Sequence, residues 1–173
     1  MRPAVGLDVM CTKIAVDFQA MTAANALDVI GANLELLREA TRTDAAFHIP
    51  VDPESGLFAQ IQVARSMLAT GNPEQLQGQS LDAFPWLQSR LAPLRVSEMR
   101  DTATPRDDQS VDAAAWSQLG IGSVLLIGYF IEGRAAGLLG LAGARPRENW
   151  EVHLHLLMKL VGSSLATGRE RIE

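Results

Sequence analysis

Three histidines, one cysteine and a Gly-x-Gly are the features of this 173-residue chain that invite a chemical reading. His48 stands between Phe47 and Ile49 in an apolar run, where an imidazole facing a pocket could ligate a haem iron. The same placement suits a histidine hydrogen-bonded within a sheet. His153 and His155 lie two apart on a predicted helix, point to different faces and so do not share a metal. Cys11 is alone, which rules out an internal disulfide and fits a reducing, cytoplasmic setting. Asp101, Asp107 and Asp108 fall in RDTATPRDD, where Arg100 and Arg106 balance them as in a solvated loop. No Ser–His–acid order and no convergent carboxylate pair is visible, so the chain reads as a non-enzyme. The stretch LGIGSVLLIGYFIEGRAAGLLGLAG, residues 119–143, holds seven of the fourteen glycines. A phosphate cradle follows a strand and opens a helix. Here the Gly-x-Gly closes a helix and opens a strand, so these glycines shape a sheet.

The bulk composition sets the frame for those residues. Apolar residues make up 47% and charged residues 20%, as in a globular domain with a real core. The net charge of −5 and the lack of any basic run argue against a nucleic-acid partner. No uninterrupted apolar span is long enough to cross a membrane.

The elements follow from periodicity. Ala20, Ala23, Leu27, Ile30, Leu34 and Leu37 recur three or four apart, which predicts one helix over residues 12–41, about 45 Å long. Strands are predicted over 44–52, 57–65, 94–99, 123–131 and 134–142, the last two joined by a tight Glu132–Gly133 turn. Ser80 caps a short helix holding Phe84 and Trp86, and residues 110–119 form a second. A long helix closes the chain from Trp150 to about Arg171. The sum is an α+β domain with a mostly antiparallel sheet of five or six strands. The strand over 123–131 is apolar on both faces, so both are covered. The long terminal helices cover one, and short helices and loops roof a pocket on the other.

This order and the blocks FPWLQSRL, LRVSEMRD, WSQLGIGSVLLIGYFIEGRAAGLLGLAG and ENWEVHLHLLMKLVGSSLATGRE resemble those of a bacterial GAF domain, a PAS-like sensory fold. The resemblance implies a single GAF-like domain over 12–173 behind an N-terminal extension, 1–11. It implies a cytoplasmic, non-catalytic sensor that binds an unidentified small molecule over the sheet. It also implies a homodimer that signals through its terminal helices to an output module of kinase or cyclic-di-GMP type. The alternatives are a ligand-free dimerisation module and a haem-based gas sensor that uses His48. The cysteines of reductase-type and covalent-bilin GAF domains, and the signature of cyclic-nucleotide ones, are not found here. The expected ligand-binding residues are Phe84, Trp86, Arg95, Ser97, Trp116, Tyr129 and His48; the cofactor is left unnamed and no metal is expected. Leu27, Ile30, Leu34, Leu154, Leu157, Val161 and Leu165 are the expected dimer contacts, because they offer more apolar surface than one sheet face consumes.

Overall fold

The computed structural model describes residues 6–172 apart from 68 and 70. Hairpin chemistry organises the centre. Glu132 and Gly133 both take positive φ, 52° and 78°, the backbone of a two-residue turn whose twist matches antiparallel strands. It joins β4 (Ser123–Ile131) to β5 (Arg134–Gly143). Around this hairpin the sheet runs β2-β1-β5-β4-β3, antiparallel throughout, with β1 Ala45–Pro50, β2 Gln62–Arg65 and β3 Val96–Met99. Five strands form, as the periodicity suggests.

Strand alternation sorts β4 between two cores. Leu125, Ile127, Tyr129 and Ile131 join a helix-side core, and Val124 and Leu126 join a core on the opposite face. The sheet is therefore the middle of three layers. The helix layer holds α1 (Leu7–Ala20), α2 (Ala26–Thr41) and α5 (Val152–Ile172). The roof holds α3 (Pro85–Arg90), α4 (Ser110–Gln118) and the connecting turns.

The single helix expected over 12–41 is two helices. The Thr22 N–H donates to Asn25 Oδ1 at 2.6 Å and the Asn25 N–H to Thr22 Oγ1 at 3.3 Å. Short polar side chains that bond the nearby backbone compete with helical pairing, and here they turn the chain. The break lets Met10, Ile14, Phe18 and Met21 of α1, and Ile30, Leu34 and Leu37 of α2, enter one core together. Met10 is 2% exposed, so that core reaches into the segment expected as an N-terminal extension. Arg171 of α5 donates to the carbonyls of Phe18 and Met21, closing the end of α1 against the last helix.

The apolar surplus expected on the helices is mostly spent inside the chain. Ile30, Leu34, Leu154, Leu157, Val161 and Leu165 are all buried against the sheet or α1, and of the seven expected dimer contacts only Leu27 is exposed. What α5 presents outward is Val152, Leu156 and Leu160, four residues apart on one face. Val9 and Val16, two turns apart on α1, are exposed as well.

Candidate functional site

The roof is built on one buried carboxylate. Asp112 of α4 is fully buried, and its two oxygens accept from the Trp86 N–H at 3.0 Å and the Leu87 N–H at 2.9 Å. These are unpaired donors in the first turn of α3, so one side chain pins that helix to its neighbour. Burial pushes the Asp112 carboxyl pKa up, and the two N–H bonds pull it back. Its sequence context, an acid in the first turn of a helix, carries no sign of this role.

Beneath that frame the roof is filled. Phe84 and Trp116 pack in a tilted arrangement with ring centroids 4.9 Å apart, Trp116 lies 5.9 Å from Phe47, and Phe84 lies 6.3 Å from Phe58. All four rings are buried in the roof-side core with Leu87, Met99 and Leu138. Tilted aromatic packing of this kind fills volume that a ligand would need. Gly140 of β5 faces Phe47, and a Cβ there would overlap the ring. The Trp116 Nε1–H is buried with no hydrogen-bond partner.

Of the expected ligand residues, the structure gathers Phe84, Ser97 and Trp116 on the roof side as core, and Trp86 there too, largely buried but with one edge on an open cleft. Arg95 is exposed and donates to the Arg90 carbonyl at 3.2 Å. Tyr129 and His48 lie on the other face of the sheet, beneath the helices. Odd-numbered residues of β4 point that way, and His48 pairs across β1 and β5 with Leu139 of the same core. His48 Nε2 and the Tyr129 hydroxyl are 2.7 Å apart. A haem axial role over the roofed side is thereby corrected, since the ring is buried against helices and its Nε2 is engaged. Burial, with the Arg169 charge second, pushes the His48 pKa down to about 3, so the imidazole is neutral. His155 is not a free surface histidine either: its Nε2 lies 3.2 Å from Glu98 Oε2 of β3.

The open space lies beside the roof, along the free edge of β3. A cleft of about 630 Å³ is lined by Trp86 and Arg90 of α3, Glu98 and Met99 of β3, and Arg100 and Arg106 of the loop beyond, with His155 of α5 on the far wall. The Arg90 guanidinium sits over the Trp86 ring, 5.3 Å from its centroid. The spacing of Trp86 and Arg90, four apart in a helix, was legible; that both would face a cleft was not. The loop 100–109, expected to be merely solvated, forms one wall. Among the described residues no group of three or more His, Cys, Asp or Glu could hold a metal ion.

Three helices on one face of a five-stranded antiparallel sheet, with short helices roofing the other, define the GAF-domain fold, and the chain has it. Similar solved structures are the phycoerythrobilin-bound and phycocyanobilin-bound GAF domains of a cyanobacterial phytochrome. Each is 17% identical and aligns over 98% of this chain and 96% of that chain, with TM-scores of 0.77 and 0.78. The GAF domain of an Acinetobacter phosphoenolpyruvate-protein phosphotransferase aligns over 95% of this chain and 93% of its own, at 11% identity and a TM-score of 0.66. No family model and no curated protein matches the sequence. At these identities the likeness is one of fold, and sites must be argued from this chain's own residues.

Proposed function

We propose that this chain is a non-catalytic regulatory domain that works by self-association: a homodimer formed through its outer helix face, which positions an output module. The observation that carries this reading is the filled roof. Phe47, Phe58, Phe84 and Trp116 occupy the space over the sheet where a sensor of this fold would hold a ligand. The dimer surface is the outward stripe Val152, Leu156 and Leu160 with Val9, Val16 and Leu27, rather than the buried leucines expected from the sequence. Leu156 and Leu160 are 54% and 57% exposed, and each apolar side chain buried fully in a dimer would contribute roughly 1.5–3 kcal/mol. Among the described residues no helix is long and apolar enough to cross a membrane, so this stripe is not part of a span.

A small-molecule sensor is the second reading, and one observation favours it. The buried, unpartnered Trp116 Nε1–H is a donor for which a ligand acceptor in the roof would supply the missing bond. Two neighbours of the same fold hold bilins in their crystals. Here Cys11 packs on the helix side, so the chain's only thiol is not beside the roof.

One experiment separates the two. Native mass spectrometry of the purified chain, paired with the Leu156→Glu/Leu160→Glu variant, reads both association and bound mass. A ligand-free dimer that becomes a folded monomer in the variant is the expected result. A wild-type monomer refutes self-association, and a non-covalent added mass that survives Arg90→Gln but not dilution into denaturant transfers the case to a sensor with its ligand in the roof.

A further inference from the structure

We infer that the cleft along the β3 edge is a binding site for a small molecule bearing an oxyanion, a carboxylate or a phosphate, held by Arg90. The inference is independent of the dimer reading, because it concerns a different surface.

The argument is a charge account of the lining. Glu98 lies 3.5 Å from Arg100 Nη2 and 3.2 Å from His155 Nε2, so its carboxylate is already matched. Asp101 is satisfied within its own turn, accepting from the Ala103 N–H at 2.9 Å and the Thr104 hydroxyl at 3.0 Å. Arg106 has Asp108 at 3.6 Å. Arg90 is the exception. Among the described residues it makes no ion pair, and its Nε–H is buried with no hydrogen-bond partner.

A guanidinium in that state is both held and unspent. Its position over the Trp86 ring, 5.3 Å from the centroid, restrains it by a cation–π contact, and the Trp86 backbone is itself held by its N–H bond to Asp112. The Arg90 Nε–H is closed off from the cleft, so the two Nη groups are the prongs that would meet an oxyanion in bidentate geometry, and preorganisation lowers the entropy lost on binding. The Trp86 face is taken by Arg90 and the ring is 7% exposed, so the ligand is selected by its anionic group rather than by aromatic stacking. Arg100 and Arg106, each paired with a carboxylate, line the mouth without adding an unmatched charge, which leaves Arg90 as the cation with no ion-pair partner in the cleft. The volume of about 630 Å³ is that of a metabolite site.

The test is an NMR titration of the full chain with inorganic phosphate and, separately, with succinate, each against sodium chloride at matched ionic strength. The readouts are the Arg90 Nε–Hε and Trp86 indole resonances. Arg90→Gln removes the charge, Arg90→Lys keeps the charge but loses the fork, and Arg134→Gln is a distant control. The expected result is saturable shifts of both resonances in wild type and the control. Affinity should fall about tenfold or more in Arg90→Gln, with Arg90→Lys in between. A response to phosphate alone, succinate alone or both assigns the oxyanion class. Shifts no larger than with sodium chloride, or an unchanged Trp86 response in a folded Arg90→Gln, overturn the site. Dimer formation is not read by this experiment, so either reading can fail without the other.

Discussion

Acidification should destabilise this fold through His48, and the size of the effect follows from where the ring sits. The imidazole is 1% exposed, bonded to Tyr129 and neutral, with its pKa pushed down to about 3 by burial and then by Arg169. In the unfolded chain it regains its ordinary value of 6.5. Between those values the unfolded state binds a proton that the folded state refuses, so stability rises with pH. The contribution is whole above about 6.5 and is lost as pH falls towards about 3, at about 1.4 kcal/mol per pH unit. By about pH 4.5 the loss is roughly 2–3 kcal/mol, a sizeable part of a typical domain's stability.

Other groups titrate in the same range, so the assay must isolate His48. Burial raises the Asp112 pKa, which makes its folded form easier to protonate and gives the opposite slope. Hydrogen bonds lower the pKa of Asp17, Glu35, Asp52 and Glu151, which lose stability on acidification; all four are largely solvated and contribute little. Urea unfolding of wild type and His48→Gln over a pH series cancels these terms in the difference, because the variant keeps them all. Glutamine also keeps a polar partner for Tyr129. The wild-type advantage should shrink by about 1.4 kcal/mol per pH unit below about pH 6. A difference that stays flat with pH refutes a buried neutral His48.

Two further perturbations test the roof. Asp112→Ala strands two buried N–H donors at the start of α3 and should cost about 2–4 kcal/mol in urea unfolding, with Asp112→Asn, which keeps one acceptor, costing less. An equal cost for both would refute the capping account. Gly140→Ala puts a methyl group into the Phe47 ring, and the displaced aromatic cluster should cost about 1–3 kcal/mol, read by thermal unfolding and by near-ultraviolet dichroism of Trp116. An unchanged melting temperature would mean that the roof is loosely packed.

The sheet was legible because its signals are local. A Glu-Gly turn between two apolar runs fixes the β4–β5 hairpin, and an apolar β4 without alternation announces two covered faces. The break in the first helix is hidden because apolar periodicity continues across Thr22 and Asn25. The apolar line Ala20, Ala23, Leu27 does not show that two short side chains bond each other's backbone. The sequence does not reveal that α1 folds back and shares a core with Leu34, Leu154, Leu157 and Leu165, which is why periodicity alone points them outward. His48 is the hydrogen-bonded sheet histidine that its placement suits, but it and Tyr129 face the helices and not the roof, for a related reason. On a strand apolar on both sides, parity does not say which set meets the helices. The β3-edge cleft was illegible altogether, since it joins α3, a loop and His155 from elements far apart in the chain.

The two surfaces argued here meet at one place, the entry to α5. The Arg147 N–H donates to the Arg100 carbonyl at 2.7 Å, the Trp150 indole donates to the Met99 carbonyl at 3.2 Å, and His155 faces Glu98. These three contacts fasten the start of α5 to β3 and the loop that forms the cleft wall. The helix that these contacts anchor carries the outward stripe Val152, Leu156 and Leu160. An anion held by Arg90 would share its cleft with Glu98, Arg100 and His155, so a shift of those side chains would act first on the helix that bears the proposed dimer surface. Coupling between two such equilibria is reciprocal: an anion that favours the dimer is bound more tightly by the dimer, by the same factor. A sheet closed by aromatic packing on its roof side leaves this edge as the short route from a ligand to the helices, without opening the core.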